Sequence, residues 1–196
     1  MIDLVCELSG ETPSASYPFA LWNEVLRLAP HLQAHDQVGV LPLRLPANTD
    51  GIPLQKRAKL TLRIPTEVES QTAKCITGQQ IDLDGCKLLM GATSTRPIKP
   101  YPTIHAHMVA GVSNEVLFME DINAQLDTMK VSGNLICGKR NVLKNGLQAI
   151  HGFSLVIHDL KPAASLQLQY YGLGNARQFG CGTFIPYKII SGLHDE

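Results

Sequence analysis

Residues 172–187 read GLGNARQFGCGTFIPY, with four glycines (Gly172, Gly174, Gly180, Gly182) in eleven positions around one arginine, Arg177. A dinucleotide-binding loop follows a strand and opens a helix. This stretch does the reverse: it follows the helix-type run KPAASLQLQYYG (161–172) and leads into the β-type run TFIPYKII (183–190). No Gly-Lys-Ser/Thr accompanies it, so a P-loop is excluded too. Glycines let backbone N–H groups approach a phosphate and form a concave anion site, to which Arg177 would add a cation. A long tight turn with one solvated arginine fits the same residues.

Reading outward from the loop gives an order of elements. TIHAHMVAG (103–111) is strand-like, SNEVLFMEDINAQLDTM (113–129) helical, KVSGNLICGKRNVLKNGLQAI (130–150) a broken strand with basic turns, and HGFSLVIHDL (151–160) a strand. The helix that starts near Pro162 and the strand after the glycine loop complete the set. The same order stands upstream. IDLVCEL (2–8) is a strand, and a helix follows from about Tyr17, with Ser16 as its cap and Phe19, Trp22, Leu26 and Ala29 on one face. Pro30 blocks its continuation. QVGVLPLRL (37–45) and QKRAKLTLRIP (55–65) are strands, the second with Lys59, Thr61 and Arg63 on a face that reads as solvated. PTEVESQTAKCIT (65–77) is a helix with a Thr66–Glu69 capping signature, and IDLDGCKLLMG (81–91) a hairpin around Asp84-Gly85. Strand, helix, strand, strand, helix, strand, read twice, predicts an α+β fold of tandem ferredoxin-like βαββαβ units with a C-terminal glycine-rich loop. The units span 1–95 and 96–196, and a Pro-rich junction, ATSTRPIKPYP (92–102), lies between them.

The net charge of zero hides an asymmetry. Residues 1–127 carry 10 Lys/Arg and 14 Asp/Glu, whereas residues 128–194 carry 7 Lys/Arg and one acid, Asp159. So cationic a half suits a polyanion, nucleic acid before others. The five cysteines are widely spaced, odd in number and never C-x-x-C, which points to reduced thiols in the cytoplasm. No run approaches the ~18 apolar residues of a membrane span, and the start lacks a signal-peptide pattern.

The glycine loop between the last helix and last strand of a second ferredoxin-like unit resembles the signature of the RAMP superfamily of CRISPR-associated proteins. GFSLVI (152–157), LQLQYYGLGNARQFGCGTFIP (166–186), QVGVLPLRL (37–45) and residues 81–109 together resemble a compact branch of its precursor-RNA-processing endoribonucleases. The resemblance covers most of the chain. It implies metal-independent cleavage of a CRISPR repeat RNA near a hairpin, with no cofactor, by attack of the neighbouring 2′-hydroxyl on the scissile phosphate. The products would be a 2′,3′-cyclic phosphate and a 5′-hydroxyl. It also implies retention of the crRNA 3′ hairpin and partnership with other effector-complex subunits.

Family members carry a histidine at or just beyond the first helix, and here LAPHLQAHDQVG (28–39) supplies His31 and His35. The resemblance aligns the family's histidine near Gln33, between these two, and a second position near Tyr17. The candidate catalytic residues are therefore His35, His31 and Tyr17. If the segment stays helical, the histidines share a face; if Pro30 ends the helix, they lie in a loop. Candidate RNA-binding residues are Lys130, Lys139, Arg140, Lys144 and Arg177, with Gly172, Gly174, Gly180 and Gly182 of the loop. Lys56, Arg57 and Lys59 form a second, weaker cluster, and Tyr170 or Tyr171 could stack on a base.

Other readings fit less well. His105 and His107 could pair on a metal, but no carboxylate stands at a familiar spacing and no metal site is expected. An RRM-type binder would need an aromatic RNP motif in a strand, which is missing. The strongest rival is a non-catalytic RAMP subunit that binds RNA as a scaffold, and only the histidine pair speaks against it.

Overall fold

The computed structural model describes residues 1–45, 54, 58–146 and 148–187. Its first unit begins with β1 (Ile2–Gly10), α1 (Tyr17–Leu28), β2 (Gly39–Leu41) and β3 (Lys59–Ile64), and continues with α2 (Glu69–Ile76), β4 (Gln80–Leu83) and β5 (Cys86–Arg96). These strands form an antiparallel sheet in the order β2-β3-β1-β5-β4. The second unit comprises β6 (Ile104–Ala110), α3 (Glu115–Met129), β7 (Asn134–Asn145), β8 (Gln148–His158), α4 (Pro162–Tyr171) and β9 (Ile185–Pro186), with sheet order β7-β8-β6-β9. In both units the first strand lies between the third and the last, which is the ferredoxin-like arrangement. Among the described residues no helix is long and apolar enough to cross a membrane.

Local chemistry sets most of these bounds. Asp84 and Gly85 both take positive φ, 55° and 92°, the pairing a tight β4–β5 hairpin requires. Asn114 caps α3 by accepting from the Leu117 N–H. Elsewhere the expected caps are not made. The Ser16 hydroxyl pairs with that of Ser14, and Thr66 opens a 3-10 turn, so that α2 starts only at Glu69. The second strand is three residues long rather than nine, because Pro42 has no N–H for the ladder. The broken strand expected over 130–150 is instead one long β7 followed by the start of β8, with a bulge in β7 between Cys137 and Arg140.

Each sheet buries one face against its own helices. Leu4, Cys6, Leu60, Leu62 and Ile64 meet Leu21, Val25 and Ile76 in the first unit. Ile104, Leu155, Ile157 and Phe184 meet Phe118, Ile122 and Leu168 in the second.

The opposite face of the first sheet departs from the sequence reading. Arg63 is 1% exposed, not solvated. Its guanidinium grips Asp3 through Nε (2.8 Å) and Nη2 (3.2 Å), while Nη1 donates to the carbonyls of Gln169 (3.0 Å) and Phe184 (2.7 Å) of the second unit. The second unit covers this face, and one buried, bidentate arginine joins the two.

Candidate functional site

The histidine segment is shaped by Pro30. With its fixed φ and no N–H it cannot extend α1, and Pro30–Ala34 winds into a 3-10 helix anchored by buried Leu32. This is neither of the two geometries open from the sequence, but it keeps the imidazoles close. Burial first, and then the charge of His35, lower the pKa of His31. His31 Nε2 lies 2.9 Å from Thr72 Oγ1 on α2. His35 opens on a pocket of about 310 Å³ with Ala34, Asp36, Gln37, Pro65 and Glu67.

Just past this pair, three segments converge around the start of β2. The rings of Phe19, in the first turn of α1, and Phe179 in the glycine loop pack at a 38° tilt with centroids 4.7 Å apart. Arg177 Nη2 donates to the Tyr170 carbonyl (3.0 Å) and reaches the Gln37 carbonyl (3.4 Å), two residues past His35. A side chain at Gly39 would meet Thr183 and the Arg177 guanidinium. The sequence thus brings the first turn of α1, the start of β2 and the glycine loop together at the junction of the two units.

The loop itself differs from expectation. Arg177 is 6% exposed and so is not a solvent-facing cation. Burial, and then the charge of Arg63, bring its pKa down to about 10. Its Nε and Nη1 find no hydrogen-bond partner among the described residues. Gly172, Gly180 and Gly182 are buried as well, and Gly174 is exposed. The loop N–H groups are largely spent inside the protein: Gly172 on Leu168, Gly180 on Arg177, Gly182 on Met108 and Gly174 on Gln125 Oε1. The glycines serve close packing. At Gly172 a Cβ would strike the Arg177 guanidinium and the Gly182 carbonyl, and at Gly182 (φ 63°) it would strike the Leu173 carbonyl.

Tyr17 is also placed inside the core. Its hydroxyl accepts from the Leu43 N–H at 2.8 Å, and burial pushes its pKa up to about 12. A phenol so held ties α1 to the chain after β2 and is not presented to a substrate beside His31. Tyr17→Phe is expected to cost about 1–3 kcal/mol in urea unfolding, because it leaves a buried amide unpaired.

Most of the candidate cations lie on the second unit, whereas the histidines lie on the first. Lys139 and Arg140 are exposed at the β7 bulge, and Lys144 is exposed near the end of the β7–β8 hairpin, paired in register with Ala149. Lys130 is exposed in a left-handed conformation (φ 54°) after α3. Lys59 is exposed opposite Glu7, while Lys56 and Arg57 lie outside the described residues. Tyr170 is half-buried and Tyr171 exposed. His105 packs edge-on against Tyr187, and no group of three or more His, Cys, Asp or Glu side chains gathers among the described residues.

The family model described as Cas6 Crispr matches residues 2–189, nearly the whole chain. The chain belongs to the Cas6 family. A curated relative, the CRISPR-associated endonuclease Cas6 of Myxococcus xanthus, is 27% identical over 187 residues, covering 94% of this chain and 81% of the relative. Solved structures share the fold. A Cas6-related protein of Pyrococcus furiosus superposes with a TM-score of 0.69 at 13% identity, covering 97% of this chain and 98% of that one. Cse3 of Thermus thermophilus, bound to an RNA representing a pre-cleavage complex, gives 0.55 at 11% identity, covering 94% and 98%. Against this Cas6 fold, Thr72 and Asp3 are residues the sequence reading missed, and Arg63 one it placed in solvent. Thr72 is 41 positions from His31, and no local pattern links them.

Proposed function

We propose that this Cas6 chain is a metal-independent endoribonuclease that cuts CRISPR precursor RNA within the repeat, at or near a hairpin. The observation that carries this reading is the His31–His35 pair, held between the end of α1 and the start of β2, where Gln37 meets Arg177 of the glycine loop. A base takes the proton of the 2′-hydroxyl as its oxygen bonds to phosphorus. The bond from phosphorus to the 5′-oxygen breaks, and an acid protonates that oxygen. A 2′,3′-cyclic phosphate and a 5′-hydroxyl result. Two adjacent imidazoles are suited to both proton transfers at neutral pH. His31, with its lowered pKa, fits the neutral base, and His35, on the open pocket, fits the acid. Arg177 braces the chain just past His35 from within the core, through the Gln37 carbonyl.

Lys130, Lys139, Arg140 and Lys144 are the proposed phosphate contacts, with exposed Gly174 at the loop's surface. The name of the Myxococcus relative supports an endonuclease, and that of the RNA-bound Thermus structure an RNA substrate. After the cut the chain keeps the crRNA 3′ hairpin and joins other effector subunits in the cytoplasm. Incubation with the repeat RNA in EDTA, followed by analysis of the product ends, tests the reading. One cut leaving a cyclic phosphate is expected; tight hairpin binding without a cut would make the chain a non-catalytic RNA-binding subunit.

The hairpin cations give a separate prediction. Changing Lys139, Arg140 and Lys144 together to Ala should weaken hairpin binding. The slope of log K against log salt should flatten by about one for each phosphate that is no longer neutralised. Binding measured across a salt series checks this; an unchanged slope would move the RNA elsewhere on the surface.

A further inference from the structure

The contact between His31 and α2 fixes more than a position. Thr72 is fully buried, and its hydroxyl lies 2.8 Å from the Val68 carbonyl, one helical turn back, and 2.9 Å from His31 Nε2. A hydroxyl has one hydrogen. If that hydrogen pointed at Nε2, the Thr72 oxygen would face the Val68 carbonyl at 2.8 Å with no proton between them. If it goes to Val68, the Thr72 oxygen accepts from Nε2–H, and both contacts are hydrogen bonds.

From this geometry we propose that Thr72 is a positioning residue: it holds His31 as the Nε2–H tautomer and leaves Nδ1 as the atom that takes the substrate proton. The inference rests on the endoribonuclease reading for its role in chemistry, though not for the tautomer itself. Nε2–H exists in both the neutral and the protonated ring, so the anchor survives the proton transfer. The imidazole need not turn between receiving a proton and releasing it. The chain thus orients its base through a helix of the same unit by a single neutral hydrogen bond.

The test has two arms on the full chain. Nitrogen-15 NMR of the histidine side chains needs no RNA. It should show His31 protonated at Nε2 and bare at Nδ1 throughout, and Thr72→Val should relax it to the mixed population of a free imidazole, in which Nε2–H only predominates, while Thr72→Ser keeps the single tautomer. In single-turnover cleavage of repeat RNA, Thr72→Val should lower the rate about tenfold at unchanged hairpin affinity, the value of one hydrogen bond. Thr72→Ser should restore it, with thermal unfolding confirming that each variant is folded. A bare Nε2 in the wild-type chain, or a tautomer unmoved by Thr72→Val, overturns the proposal while leaving cleavage intact. Failure of the wild-type chain to cut its repeat strikes the endoribonuclease reading instead, and the NMR result still decides what Thr72 does to His31.

Discussion

His31→Ala is expected to slow cleavage of the repeat RNA by about 10²–10⁴-fold, the usual worth of a positioned proton-transfer group. His35→Ala should fall in the same range, since the two transfers serve one displacement. Hairpin affinity should hold in both variants, because the exposed cations that would grip the RNA lie just after α3 and on the β7–β8 hairpin. The pH profile adds a sign. The His31 pKa is lowered from 6.5 by burial and by His35, and a base works in its neutral form. The acidic limb of the single-turnover rate should therefore sit below pH 6.5. His35→Ala removes one of the two causes, so it should move that limb upward toward 6.5 as well as lowering the plateau. Full rates in both variants would sink the histidine pair as the catalytic unit, and a limb above 6.5 would take the base role from His31.

The order of elements was legible because each carries its own period. Alternation marks β1, three-and-four spacing marks α1, and Asp84-Gly85 supplies the two positive-φ residues its hairpin needs. Alternation along β3 also separated Lys59, Thr61 and Arg63 correctly from Leu60 and Leu62. Which body would cover that face is a long-range fact: the carbonyls that receive Arg63 belong to Gln169 and Phe184, more than a hundred positions away. Arg177 failed for the same reason. Four glycines around one arginine suggest an anion cradle, yet the same small residues make room for a guanidinium to be buried among carbonyls. The histidine pair was visible as residues and its setting was not. Pro30 announced the end of α1, but only the fold shows that a 3-10 turn follows and that Thr72 waits on the neighbouring helix.

Asp3→Ala is expected to destabilise the chain by about 3–5 kcal/mol, because it leaves a buried guanidinium without its carboxylate. Asp3 is 3% exposed and accepts both prongs of Arg63 and also Nη2 of Arg96 at 3.0 Å. Without it Arg63 keeps only the two carbonyls of the second unit, and its charge stands near Arg177, a second buried guanidinium that it already perturbs. At ~2–4 °C per kcal/mol for a chain of this size, the thermal midpoint should drop by roughly 10 °C. Arg63→Met should be the milder change, since it removes the charge that needs compensation, though it gives up the bonds to Gln169 and Phe184. The double variant should then lose less than the sum of the singles, the mark of a coupled pair. Urea unfolding of the four proteins measures this. An Asp3→Ala loss under about 1 kcal/mol would mean that water reaches Arg63 and that the two units are not sealed here. A sealed junction has a consequence for the site: the glycine loop and the histidine segment lie on different units and meet through Arg177 and Gln37. Loosening the pair at Asp3 should therefore lower cleavage in step with stability, with no substitution at His31 or His35.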